Sequence, residues 1–291
     1  MKSTTLVLGA TGKTGRRVAK RLTARGVPVR IGSRSSEPGF DWDKPETWGP
    51  ALRGVQSAYV TYYPDLAVPR ADQAVGEFAE LAVSSGVRRL VLLSGRGENG
   101  ALLGEQALRE SGADWTILRA SWFCQNFSEG AFLDAVLSGE VALPAGSVGE
   151  PFVDADDIAD AAVAALTEDG HVGQLYELTG PRLLTFAEAV AEISRVTGRA
   201  IRYRLVSMEQ YAAELVKHAV PPDFIWLVRY LFTEVLDGRN AQVSNGVLRA
   251  LGREPRDFRE FARTAAATGM WGGGAHVPDA LHAVQVAPET T

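Results

Sequence analysis

Residues 4–15 read Thr4-Thr-Leu-Val-Leu-Gly9-Ala-Thr-Gly12-Lys-Thr-Gly15, and this stretch decides the fold. A short apolar run enters a glycine-spaced turn, which opens a helical pattern over 13–25 with Val18, Ala19 and Leu22 on one face. In that setting each glycine has a separate task. Gly9 permits the tight turn, Gly12 lets backbone approach a pyrophosphate, and Gly15 lets the helix pack closely on the strand. The helix N-terminus then presents N–H groups to the anion, and Thr11, Lys13 and Thr14 can add side-chain contacts. The strand before and the helix after separate this turn from a ligand-free glycine loop.

Outward from the turn, short apolar runs continue at 29–33, 57–61, 90–93 and 115–118. Helical periodicity falls between most of them. Val75, Phe78, Leu81 and Ala82 share a face within 70–85, and Leu102, Leu103 and Leu108 form the apolar positions before Gly112. Such β/α alternation implies a doubly wound parallel α/β sheet, because right-handed crossovers must cover both of its faces. After about Asn126 the rhythm changes to longer helices with two clear strands, at 175–178 and 201–206. Thr185-Phe-Ala-Glu188 and Ser207-Met-Glu-Gln210 fit the capping-box pattern at two helix starts. We therefore expect a Rossmann domain over 1–126, a smaller, mainly helical C-terminal substrate lobe over 127–271, and a Gly-, Pro- and Ala-rich tail over 272–291.

The second strand bears on the choice of dinucleotide. A site for NAD usually ends this strand in an acid that bonds the ribose hydroxyls. Here it ends Arg30-Ile-Gly-Ser33-Arg34-Ser35-Ser36, and the next acid is Glu37. Arg34 and Ser33 offer a bidentate cation and a hydroxyl to a 2′-phosphate, so the expected cofactor is NADP(H).

Composition bounds the remaining classes. The chain has 291 residues, 46% of them hydrophobic, enough for one substantial core and a second small lobe. Its net charge of -5 gives no general attraction to a polyanion, so neither nucleic acid nor an anionic membrane is an expected partner. The single cysteine, Cys124, cannot close an internal disulfide, and the N-terminus shows no signal-peptide pattern, so a cytoplasmic location is expected. His171, His218, His276 and His282 lack metal-ligand spacing, and no metal site is expected. Asp154, Asp156 and Asp157 read as anions at a helix N-terminus.

Several segments together resemble the NmrA-like family of atypical short-chain dehydrogenases/reductases. They are GATGKTG from Gly9, GSR from Gly32, FDWDKPETW from Phe40, AYVTYYPD from Ala58, LVLLSGRGE from Leu90, DWTILRASWFCQNFSE from Asp114 and PFVDADDIADAAVAAL from Pro151. The closing DFREFARTAAATGMW, from Asp257, is also similar. The resemblance implies that Asp41 and Trp42, in a loop placed after the third short strand, border the adenine, and that Thr61, Tyr62 and Tyr63 pass along the cofactor. Core packing is the competing reading for Trp42 and Tyr62.

Short-chain reductases ordinarily pair a serine with Tyr-x-x-x-Lys, in which lysine lowers the pKa of the tyrosine that donates a proton as hydride arrives. Ser94 stands at the expected strand end as the catalytic candidate. No tyrosine occurs between Tyr63 and Tyr176 and no lysine between Lys44 and Lys217, so the helix that should carry the pair holds Ala101-Leu-Leu-Gly-Glu105 instead.

An NADPH-dependent reductase of a small organic molecule, favouring iminium, enone or quinone acceptors, is therefore expected. The alternatives are an NADP(H)-sensing regulator that binds a protein partner, and a redox-neutral cyclase or isomerase. Ser94, Glu98 or Glu105 could replace the missing donor, although Glu105 reads as a solvated helix charge. Phe123, Gln125, Asn126 and Phe127, beyond the fifth strand, are the expected substrate pocket. The apolar helix around Phe224, Trp226 and Tyr230 could cover that pocket or pair subunits in a homodimer.

Overall fold

The computed structural model describes residues 4–272, so the expected tail lies outside the described residues except for Gly272. Two compact units are present, and both are discontinuous in sequence.

The first unit comprises the described residues through Ser121 together with Ala155–Thr179 and Ser244–Pro255. It contains β1 (Thr4–Leu8), α1 (Gly15–Ala24), β2 (Val29–Gly32), α2 (Trp48–Leu52), β3 (Val55–Val60), α3 (Ala71–Ser84) and β4 (Arg89–Gly95). There follow α4 (Asn99–Glu110), β5 (Asp114–Ala120), α6 (Ala155–Thr167), β7 (Gln174–Leu178) and α10 (Gly246–Leu251). The sheet has six strands in the order β2-β1-β3-β4-β5-β7. Every neighbouring pair is parallel. The order reverses between β1 and β3, the topological switch point at which such sheets bind ligands beyond their carboxyl ends.

A cut after Asn126 does not describe this unit. Thr116 to Ala120 on β5 pair with Gln174 to Leu178 on β7, so the chain returns to complete the sheet after leaving it. Arg21 on α1 binds Asp156 at 2.5 Å and Asp160 at 2.6 Å, which fixes α6 beside α1.

The face used by α4 also departs from expectation. Leu102 and Leu103 are exposed, whereas Ala101, Gly104, Glu105 and Leu108 are buried. The cause is a close approach. A Cβ at Gly104 would stand 2.8 Å from Leu66, and one at Gly76 on α3 would stand 3.3 Å from Ala107. Only small side chains fit that contact, so the bulky leucines turn outward.

The second unit comprises Trp122–Asp154, Gly180–Val243 and the described residues from Arg256. It holds α5 (Leu133–Ser138), β6 (Glu140–Leu143), α7 (Phe186–Thr197), β8 (Arg202–Leu205), α8 (Met208–Lys217), α9 (Pro222–Tyr230) and α11 (Phe258–Ala267). Both capping boxes form, at Thr185 with Glu188 and at Ser207 with Gln210. β6, unexpected from the sequence, pairs in parallel with β8. A cluster that includes Phe127, Phe132, Phe152, Phe186 and Phe258 makes the core, with Trp271 closing it by donating from Nε1 to the Phe127 carbonyl at 2.9 Å. Within α9, Leu227 is buried, while Trp226 is exposed and stacked on Tyr230. No helix among the described residues is long and apolar enough to cross a membrane.

Candidate functional site

At the carboxyl end of β1 the glycines divide their work visibly. Gly9 has φ +62°, and a Cβ there would lie 2.5 Å from Thr61 Oγ1. A Cβ at Gly15 would lie 2.2 Å from the Gly9 carbonyl oxygen, so Gly15 is what lets α1 start against the turn. At Gly12 a Cβ would meet only that same carbonyl oxygen, at 3.2 Å. The outer side of the turn is thus open at Gly12, where Thr11 is also exposed. The α1 N-terminus receives no capping bond from Thr14, whose side chain is buried beside Tyr59. An open glycine turn leading into a helix end without a side-chain cap fits a dinucleotide pyrophosphate.

At the end of β2, Ser33 closes a tight loop, accepting at its carbonyl from Ser36 Oγ at 2.8 Å and from the Phe40 N–H at 2.8 Å. Arg34 is exposed on this loop and forms no hydrogen bond or ion pair among the described residues. It faces the Tyr63 phenol closely enough to oppose the upward push that burial gives that hydroxyl. Arg34 and Tyr63 therefore lie within electrostatic reach of each other, although they follow different strands.

The loop carrying Asp41 and Trp42 follows β2, not a third strand. Trp42 donates from Nε1 to the Thr61 carbonyl at 3.0 Å and packs on Phe40, Trp48, Tyr62 and Phe78. It and Tyr62 are half-buried parts of an aromatic cluster. Asp41 is also half-buried, and its Oδ1 accepts from the Asp43 N–H at 3.1 Å.

The structure overturns the reading of Glu105 as a solvated charge. This side chain is fully buried. Its Oε1 accepts from Ser94 Oγ at 2.7 Å and Arg119 Nε at 2.8 Å, and its Oε2 accepts from Arg119 Nη2 at 2.5 Å and Arg109 Nη2 at 3.2 Å. Ser94 and Arg119 sit opposite each other on β4 and β5, and α4 places Glu105 above both. Arg119 also reaches Glu177 at 3.2 Å, and Glu177 binds Arg96 at 3.3 Å. Four donors occupy the lone pairs of one carboxylate, so Glu105 has neither a proton to give nor an acceptor site to offer.

A second acid arrangement stands beside β3 and β4. Asp65, which the sequence reading missed, shares a side-chain hydrogen bond with Glu98. Burial is the main cause holding both carboxyls above their ordinary range, Glu98 well above it, and their mutual repulsion adds to this for Glu98. Two carboxylates cannot bond each other, so the pair retains a proton. Glu98 Oε2 is buried without a partner, and a Cβ on Gly95 would collide with the Glu98 carboxyl.

In the second unit the four expected pocket residues separate. Phe127 is fully buried and serves the aromatic core, and Gln125 is buried with Nε2 donating to Asp154 Oδ1 at 2.7 Å. Phe123 and Asn126 keep partial exposure. Cys124 is a buried free thiol, and no cluster suited to a metal ion occurs among the described residues.

Residues 9–169 match the model of a family described as NAD(P)H-binding. The chain belongs to that family. It is 32% identical over 280 residues to the Bacillus subtilis uncharacterized oxidoreductase YesF, covering 91% of this chain and 97% of that protein. It is also 32% identical to festuclavine synthase II of Penicillium roqueforti, covering 89% and 97% respectively. Among solved structures, Citrobacter triphenylmethane reductase complexed with NADP(H) superposes with a TM-score of 0.71 at 23% identity, over 90% of this chain and 99% of that one. NmrA, a negative transcriptional regulator, superposes with a TM-score of 0.68 at 17% identity, over 92% and 98%. The chain is an NAD(P)H-binding oxidoreductase, and its fold is shared with triphenylmethane reductase and NmrA.

Proposed function

We propose that this chain is an NADPH-preferring reductase of a small organic acceptor that needs no side-chain acid, with iminium, enone or quinone compounds favoured over simple ketones. One observation carries the reading: the only hydroxyl proton of Ser94 is directed to a saturated Glu105 carboxylate. A bound reduced nicotinamide supplies the hydride. Gly9, Gly12 and Gly15 shape the turn for its pyrophosphate, and the uncapped N-terminus of α1 adds a favourable partial charge. Arg34, which pairs with no carboxylate among the described residues, suits the 2′-phosphate, while Thr61, Tyr62 and Tyr63 border the carboxyl end of β3.

Ser94 departs from the usual arrangement in which a serine and a tyrosine both donate to a carbonyl oxygen. A cationic iminium avoids that need, since hydride addition at its carbon directly yields a neutral amine. Enones and quinones can take their proton from water.

Optical measurement of NADPH oxidation against a panel of iminium, enone, quinone and ketone compounds tests the proposal. Turnover of an activated acceptor with slow or no ketone reduction is expected. Ketones reduced as fast as the activated acceptors would overturn it. Silence across the panel, with retained NADPH binding and co-purification of a regulator, would favour the sensing alternative.

A further inference from the structure

We propose that Glu105 converts Ser94 from a hydrogen-bond donor into an acceptor, so that the site selects ligands presenting an N–H to Ser94, above all a protonated imine nitrogen. This rests on the reductase reading above, and specifically on Ser94 standing at the substrate edge of β4.

A serine hydroxyl has one proton and two lone pairs. The Ser94 proton points to Glu105 Oε1 at 2.7 Å within a buried pair. Glu105 cannot release it by rotating, because Arg119 grips the carboxylate at both oxygens and Arg109 holds Oε2. Nor can Glu105 donate in return, since it faces two guanidinium groups and every lone pair is occupied. Arg119 is itself fixed by Glu177 at 3.2 Å, so the orientation is built into β4, β5, α4 and β7 together. What Ser94 retains for a ligand is lone-pair density.

A carbonyl oxygen also brings lone pairs and would face Ser94 acceptor to acceptor. A protonated imine brings an N–H bearing positive charge, and hydrogen bonds to ionised donors are the stronger kind. Glu105 is therefore a positioning residue acting through Ser94. Its role differs from that of an acid: no proton leaves it at any step.

Binding, measured apart from turnover, separates this proposal from the reductase reading. The probes are protonated 3,4-dihydroisoquinoline, the N-methyl-3,4-dihydroisoquinolinium ion and 1-tetralone, each titrated calorimetrically into the protein with NADP+ present, at a pH where the imine is protonated. The first two carry the same charge and differ in the N–H, while the ketone offers only an acceptor. In the unmodified protein the N–H probe should bind about tenfold tighter than its N-methyl counterpart, the scale of one hydrogen bond to a charged group. Ser94→Ala should bring that ratio close to one without weakening 1-tetralone. Glu105→Gln, where it folds, should favour 1-tetralone relative to the protonated imine, because the amide can donate to Ser94 and release its proton outward.

An N–H to N-methyl ratio near one in the unmodified protein overturns the proposal, as does an unchanged ratio in Ser94→Ala or failure of all three probes to bind. A Ser94-dependent N–H preference with no NADPH turnover of any acceptor would overturn the reductase reading and leave this one standing.

Discussion

The carboxyl of Glu98, four residues beyond Ser94, hydrogen-bonds the carboxyl of Asp65 from the neighbouring strand end. Among the described residues, what the two acids meet apart from each other is burial and the Ala67 N–H, which donates to Asp65 Oδ1 at 2.8 Å. The retained proton is therefore part of the fold as well as of the site's electrostatics.

A pH dependence of stability follows. Glu98 titrates in the folded protein well above its ordinary value, and burial is the principal cause. Such a group contributes stability fully below its unfolded pKa, near 4.3, and loses it as pH rises through the raised folded value. Denaturation measured across that interval should show stability falling with pH in the unmodified protein. Glu98→Gln, whose amide can donate to an ionised Asp65, should flatten the fall and be the more stable protein at alkaline pH. Parallel curves for the two proteins would show that the pair does not share a proton.

Cofactor preference should trace to Arg34, which is exposed where the second strand ends and has no ion-pair partner among the described residues. Arg34→Ala should weaken NADPH by about 1.5–3 kcal/mol, the range for a hydrogen bond to a charged group, and leave NADH nearly unchanged. Calorimetric titration of both cofactors measures the difference. Equal weakening would make Arg34 a structural residue of the Ser33 loop.

Removal of the Glu105 carboxylate should act first on the fold. Glu105→Ala leaves the inward-facing Arg119 with only Glu177, and deleting one member of a buried ion pair costs about 3–5 kcal/mol. A solvated helix charge, as the sequence suggested for Glu105, would be lost at little cost, and urea denaturation distinguishes the two. Ser94→Ala removes a neutral hydroxyl and should cost only about 1 kcal/mol.

The contrast between these residues shows what the sequence could and could not convey. β1, the glycine turn and α1 were legible because local spacing determines them: strand, φ +62° at Gly9, then a helix packed through Gly15. Ser94 was legible as a strand-end hydroxyl. The burial of Glu105 was not, because it depends on Arg119 from β5 and on α3 admitting only small residues against α4. Asp65 lacked any local signal, since its partner Glu98 follows a different strand. Phe127 misled for a related reason: an aromatic beyond β5 could line a pocket or fill a core, and only the assembled ring cluster decides for the core. One clue was available for α4. Ala101, Gly104 and Ala107 recur at helical spacing, and that small-residue face competed with the leucines.

The glycine turn allows folding and cofactor binding to be tested separately. At Gly15 an added Cβ runs into the Gly9–Ala10 peptide group, with Gly9 oxygen at 2.2 Å, Gly9 carbon at 2.6 Å and Ala10 nitrogen at 2.9 Å. None of these atoms can rotate away, so Gly15→Ala must move α1 off the turn. A loss of at least about 1–3 kcal/mol, the cost of overpacking a close contact, is expected in thermal denaturation without any ligand. At Gly12 the only close atom is the Gly9 oxygen at 3.2 Å, a far milder contact that a shift of a few tenths of an ångström relieves. Gly12→Ala should therefore leave the ligand-free melting temperature nearly unchanged while lowering NADPH affinity, because the methyl group occupies the open side of the turn. The expected signature is a Gly12→Ala protein that melts normally but is poorly stabilised by added NADPH. If Gly12→Ala binds NADPH as the unmodified protein does, the pyrophosphate does not approach the turn at Gly12, and the cofactor placement proposed here is wrong.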